Sequence, residues 1–215
     1  MKKALVIVFS NLKHDARVRR QIQFLSRRFE LTICCYDVEA NSNYNIIKLT
    51  GGKLTFYTRA LSAVLLLLKR FTWAHHVLYP FKSFLKSQLA NKEFDLIVAN
   101  DIETLPLAFD LKKTNTKIIF DAHEYAPLHF EDKLWWRIFF KDFNTFLCRK
   151  YIPKVDGMIT IGKLLADEYE KNFGVKPAVM TNACGFHDLK PLPSESEVIR
   201  LVHIGIVNRS RKTAR

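Results

Sequence analysis

Lys3-Ala-Leu-Val-Ile-Val-Phe9 is a continuous apolar, β-branched run with no polar alternation, the pattern of a strand covered on both faces in a parallel sheet. A helix is expected after it. Val18, Ile22, Leu25 and Phe29 recur at helical spacing behind Asp15, a candidate cap, which leaves Arg17, Arg19, Arg20, Arg27 and Arg28 mostly on the polar side.

The same alternation continues outward from this unit. Glu30 to Tyr36 and Tyr44 to Leu49 read as the second and third strands. Lys53 to Asn91 is helical in character with one break near Pro80. Phe94 to Ala99, Lys117 to Phe120 and Gly157 to Ile161 are further apolar runs, followed by helical segments over Ile102 to Lys113, Glu131 to Tyr151 and Lys163 to Phe173. Val175 to Thr181 closes the series as a short strand. Strands alternating with helices of this length predict an α/β fold, a doubly wound parallel, Rossmann-like sheet. Its chemistry belongs at the carboxyl ends of the strands, which directs attention to Ser10–Asp15, Asn100–Thr104, Asp121–Tyr125 and Gly162-Lys163.

After Asn182 the character changes. Pro191, Pro193, Ser194 and Ser196 read as a linker, and Ile199-Arg-Leu-Val-His-Ile204 then starts a fresh strand. The expected organisation is an α/β domain over 1–184, a linker over 185–198, and the opening of a second, truncated domain over 199–215.

Composition narrows the function. The 215 residues carry 34 Lys and Arg against 21 Asp and Glu, a formal charge of +13, which suits nucleic acid, anionic lipid or phosphorylated substrates without choosing among them. No RNA- or DNA-binding signature accompanies the charge, so nucleic acid is the weakest of the three. Cys34, Cys35, Cys148 and Cys184 show no C-x-x-C and no second pair of ligands for Cys184 and His187; they read as reduced thiols of a cytoplasmic protein, with no metal site. Lys2-Lys3 and the following run imitate a signal peptide, but Asn11, Lys13, His14 and Asp15 stand where a small-residue cleavage site belongs. Ala60 to Leu68 is far short of the ~20 apolar residues of a spanning helix.

Several polar clusters sit at predicted strand ends. Asp121-Ala-His123-Glu124-Tyr125 is the densest: His123 either moves a proton or fixes a sugar hydroxyl, with a carboxylate to orient it, or simply satisfies backbone groups in a loop. Asp101, with Thr104 three residues on, reads first as a helix cap. Asn11 to Arg19 fills the first strand-to-helix turn without a glycine, which disfavours a G-x-G-x-x-G dinucleotide site, and the P-loop motif is absent as well. Asp15 and Arg17 remain either cleft-facing groups or a cap and a solvated face.

Between Ala40 and Lys92 there is no acid, while basic residues alternate with Phe56, Tyr57, Phe71, Trp73 and Phe81. Farther on, Trp135, Phe139, Phe143 and Phe146 form a stripe with Trp136 and Phe140 beside it. Both stretches fit either core packing or contact with an anionic membrane surface.

Taken in order, these segments resemble the amino-terminal, acceptor-side half of GT-B glycosyltransferases, most closely family 4. The resemblance rests on Asn11-Leu-Lys-His-Asp15-Ala-Arg17-Val18, Phe94-Asp-Leu-Ile-Val-Ala-Asn-Asp101 with Thr104-Leu-Pro106, Ile118-Ile-Phe-Asp121-Ala-His123-Glu124-Tyr125, Val155-Asp-Gly-Met-Ile-Thr-Ile161 and Val179-Met-Thr-Asn182-Ala183. It covers nearly the whole chain. It implies hexosyl transfer, with retaining chemistry, from a nucleotide-diphosphate sugar that is substrate rather than cofactor, to a lipid-linked or polysaccharide acceptor. It further implies that His123 contacts the transferred sugar, and that Asp15, Arg17, Asp101, Glu124 and Asn182 line the substrate site. Gly205, Arg211 and Lys212 match the phosphate-binding start of the donor domain, although Ile206 stands where many relatives carry an Arg. The glutamate-rich region that holds the nucleotide ribose would lie beyond Arg215, so an incomplete half with little activity alone, peripheral at the inner membrane face, is expected. The alternative is a non-catalytic α/β module that binds a membrane or an acceptor.

Overall fold

The computed structural model describes residues 1–38, 44–49, 54–183, 186–188 and 190. Met1–Asn182 forms one compact unit, and the chain from Ala183 on belongs to a second. The expected linker and the opening of a second domain, with Gly205, Arg211 and Lys212, lie outside the described residues.

In chain order the first unit holds β1 (Lys2–Ile7), α1 (Ala16–Leu25), β2 (Phe29–Cys35), β3 (Asn45–Lys48), α2 (Phe56–Leu67), α3 (Phe71–Leu78) and α4 (Phe81–Leu89). There follow β4 (Leu96–Asn100), α5 (Leu105–Leu111), β5 (Lys117–Ala122), α6 (Leu134–Phe139), α7 (Lys141–Tyr151), β6 (Gly157–Thr160), α8 (Lys163–Phe173) and β7 (Ala178–Val179). The strands form one sheet in the order β3-β2-β1-β4-β5-β6-β7, and every pairing is parallel. The chain winds outward from β1 to β3, then returns through α2, α3 and α4 to lay β4 against the other side of β1. That reversal opens a crevice at the carboxyl ends of β1 and β4.

The opening run is apolar throughout because both of its faces are covered. Ala4, Val6 and Val8 pack with Val18 and Ile22 of α1, whereas Leu5 and Ile7 join the larger core with Leu66, Phe71, Leu85, Leu105 and Phe143. Asp15 does cap α1: one carboxylate oxygen accepts from the Val18 amide at 3.1 Å and the other from the Ser10 hydroxyl at 2.8 Å. At the far end of the domain Gly174 closes α8 in the left-handed conformation, φ 72°, which glycine adopts without strain.

The structure corrects three local expectations. The helical stretch before β4 is broken twice, because Lys69 takes φ 53° after α2 and turns the chain so that Phe71, Ala74 and His75 of α3 enter the core. The segment from Glu131 to Tyr151 divides at Phe140 into α6, which buries Trp136, and α7, which buries Phe143 and Leu147. Its aromatic stripe therefore divides too: Trp136 and Phe143 are core, Phe139, Phe140 and Phe146 are half-buried, and Trp135 is exposed. Thirdly, Asp101 makes no side-chain cap; a 3-10 turn over Ile102–Thr104 follows it, with the Thr104 hydroxyl donating to the Asp101 carbonyl at 2.8 Å. Cys34, Cys35 and Cys148 are buried free thiols, and burial pushes Cys34 up to about 12.

Tyr169 of α8 ties the loop after β5 to the domain. Its buried hydroxyl accepts from the Ala126 amide at 3.0 Å and donates to the Glu124 carbonyl at 2.7 Å. Tyr169→Phe strands both backbone groups, so it is expected to lower the unfolding free energy by roughly 2 kcal/mol, measured by urea denaturation.

Candidate functional site

The loop after β1, the turn after β4 and the last residues of β5 meet around the Arg17 guanidinium. Its Nη2 lies 3.3 Å from Asp101 Oδ2, its Nε 3.7 Å from Asp15 Oδ1, and its Nη1 4.0 Å from Asp121 Oδ2. One helical turn farther along α1, on the same face, Gln21 donates to Asp121 Oδ2 at 2.8 Å and accepts from the Asn100 amide at 3.1 Å. Asn100 also reaches back to the Ile7 carbonyl at 3.4 Å. Side chains at the ends of β1, β4 and β5 are thereby held in one hydrogen-bonded set.

Asp101 is strained. Its φ of 66° and ψ of 155° fall where glycine alone is comfortable, at a cost of about 1–3 kcal/mol. The conformation persists because its amide donates to the Asp121 carbonyl at 3.1 Å, its carbonyl accepts from Thr104, and its carboxylate meets Arg17. The carboxylate is thus swung away from the cap position and into the crevice.

Asp15, Arg17, Asp101, His123, Glu124 and Asn182 all line one open hollow of about 640 Å³, together with His14, Arg20, Glu103 and His129. Arg20 donates to the Asn182 side-chain oxygen at 3.2 Å across its rim. The buried side-chain atoms lacking a hydrogen-bond partner, among the described residues, are Arg17 Nη1, Asn100 Oδ1 and His123 Nε2. Buried polar groups are ordinarily paired, so their concentration at one strand edge marks a surface shaped for a polar ligand.

The carboxyls here are poor acids. Burial pushes Asp121 up to about 6, a rise that Arg17 only partly opposes and the neighbouring Asp101 charge increases. Burial and the Asp101 charge push Glu103 up to about 7, and burial raises Asp101 itself against the pull of Arg17. Near neutral pH such groups exchange between accepting and donating hydrogen bonds.

A second buried pair supports this edge from behind. His75 Nε2 donates to the Glu103 carbonyl at 2.9 Å, and its Nδ1 accepts from Lys82 Nζ at 3.1 Å. Burial, with the Lys82 charge adding to it, lowers His75 to about 3, which keeps the ring neutral in this tautomer. Gln21, Glu103, His75 and Lys82 were not singled out in the sequence as site residues. For Gln21 a signal existed, its i+4 spacing from Arg17; for His75 and Lys82 none did, since the contact depends on how α3 and α4 lie beneath the β4 turn. Among the described residues no three His, Cys, Asp or Glu side chains gather as a cation site.

No family model and no curated protein matches the chain by sequence. Solved structures do match. Sucrose-phosphate synthase from Thermosynechococcus elongatus superposes with TM-score 0.55 at 13% identity, covering 85% of this chain and 47% of that one. A second structure of that synthase gives TM-score 0.51 at 15% identity, covering 86% of this chain and 90% of that one. At such identities the likeness is one of fold, the doubly wound parallel α/β sheet, and the chain spans about half the length of the first synthase structure.

The raised carboxyls fix the sign of a pH dependence. Asp121 and Glu103 hold protons in the folded state at pH values where the unfolded chain has lost them, so their contribution is full below the unfolded carboxyl range near pH 4 and is lost as pH rises from there through the folded values of about 6 and about 7. Urea stability is expected to fall between about pH 4 and about pH 7, and Asp121→Asn to remove roughly 2 kcal/mol of that fall.

Proposed function

We propose that residues 1–184 are the amino-terminal, acceptor-side domain of a family 4-like retaining glycosyltransferase. The transfer is of a hexosyl group from a nucleotide-diphosphate sugar to a lipid-linked or polysaccharide acceptor, at the inner face of the membrane. The observation that carries this reading is the crevice at the β1/β4 reversal of a GT-B fold, in which His123 Nε2 and Arg17 Nη1 are buried without partners beside carboxyls that titrate near neutrality.

In this reading His123 contacts the transferred sugar, and Asp101, Glu124 and Asn182 hold hydroxyls of the acceptor and sugar. Arg17 keeps Asp15, Asp101 and Asp121 from repelling one another and offers its free Nη1 to an oxygen in the crevice. The leaving diphosphate needs positive charge aimed at it as the glycosidic bond breaks, a role assigned to Gly205, Arg211 and Lys212 beyond a linker over 185–198. Transfer therefore requires two walls, and residues 1–184 supply one.

The purified 215-residue chain, incubated with a panel of nucleotide-diphosphate hexoses and lipid-linked or oligosaccharide acceptors, is expected to show negligible turnover. Fused after the linker to a GT-B donor domain it is expected to transfer sugar, and His123→Ala to lower kcat/KM roughly a hundredfold with an unchanged urea midpoint. Robust transfer by the chain alone would remove the two-wall requirement, and an unaffected His123→Ala fusion would remove His123 from the site.

A further inference from the structure

The outer face of α2 is apolar from end to end. Tyr57, Leu61, Val64 and Leu68 recur at helical spacing and are 83%, 50%, 51% and 65% exposed, while Ser62 and Leu66 on the opposite side are buried. The neighbouring helix α6 exposes Leu134, Trp135 and Ile138, and Trp73 at the start of α3 is exposed as well. Single exposed apolar residues are ordinary on a protein surface, but a full row along one helix, with more on the helices that contact it, marks a contact surface.

The residues around this stripe are cationic. Arg70, Arg137 and Arg149 are exposed and meet no acidic side chain among the described residues. Where α2 ends, an open hollow of about 540 Å³ is lined by Lys69, Arg149 and Lys150 with Phe71 and Phe146, and by a single acid, Asp142. The nearby acids are few: Asp142, which pairs with Lys69 at 3.0 Å in a solvent-exposed bridge, and Glu131 and Asp132 ahead of α6.

We infer that this face docks on a bilayer surface containing anionic phospholipid, the α2/α6 stripe entering the headgroup region and the surrounding cations meeting lipid phosphates. The charge decides among occupants. A second copy of the chain would bring its own +13 against this face, which opposes self-association through it. Nucleic acid would use the cations but leaves the aliphatic Leu61, Val64, Leu67 and Leu68 unexplained, whereas an anionic bilayer uses both. The inference deepens the membrane-facing part of the proposed function, and its readout is lipid binding, so it stands or falls separately from sugar transfer.

The test is co-sedimentation of the full chain with mixed phosphatidylcholine–phosphatidylglycerol vesicles and with pure phosphatidylcholine, followed also by tryptophan emission. Binding to the mixed vesicles, with a blue shift from Trp73 and Trp135, and little binding to phosphatidylcholine alone are expected. Leu61→Ser with Leu68→Ser should weaken binding roughly tenfold or more. Arg70→Gln and Arg137→Gln should each weaken it roughly fivefold, at about 1 kcal/mol per juxtamembrane cation. All are exposed positions, and circular dichroism verifies that each variant is folded. Equal binding to neutral vesicles, no binding to anionic ones, or a solution dimer that the leucine substitutions dissociate would overturn the inference.

Discussion

One guanidinium holds the carboxyl edge of the sheet together. Arg17 enters from the first turn of α1 and faces Asp15, Asp101 and Asp121, which arrive from the ends of three different strands. A single cation cannot compensate that many half-buried carboxyls, and the remainder appears as acids raised toward neutrality and as backbone strain at Asp101. The domain tolerates both because Gln21 and Asn100 complete the hydrogen bonding from below, where the sheet is rigid.

The crevice is shaped as much by what lies behind it as by what faces it. Glu103 follows Asp101 in a 3-10 turn, and its carbonyl is held by a neutral His75 backed by the buried Lys82. The loop carrying His123 and Glu124 is held in the same manner through the Tyr169 hydroxyl, which bonds backbone on both sides of Tyr125. Rigid backing of this kind is what allows an atom such as His123 Nε2 to remain buried without a hydrogen-bond partner.

The α2/α6 face obeys the opposite logic. At the crevice, charge is buried and compensated by named partners; on that face apolar side chains are left in water and the arginines beside them meet no acid among the described residues. Both arrangements are unfavourable for the isolated domain, the first because charge is taken out of water and the second because apolar surface is left in it.

How much of this was legible in the sequence follows from what each signal measures. The two-sided burial of Lys3–Phe9, the alternation of strands and helices, and the Asp15 cap are local properties, and periodicity and capping chemistry report them directly. Even the strand-end location of Asp15, Arg17, Asp101, His123 and Glu124 follows from element boundaries. The sequence did not carry the breaks at Lys69 and Phe140, nor which aromatics of the Glu131–Tyr151 stripe are buried, because those depend on how helices pack on the sheet. Nor did it carry the junction of Arg17 with Asp101, 84 residues away, or of Gln21 with Asp121, 100 residues away. That junction exists because β4 and β5 return to the β1 side of the sheet, and strand order is a property of the whole packed domain that no local pattern encodes.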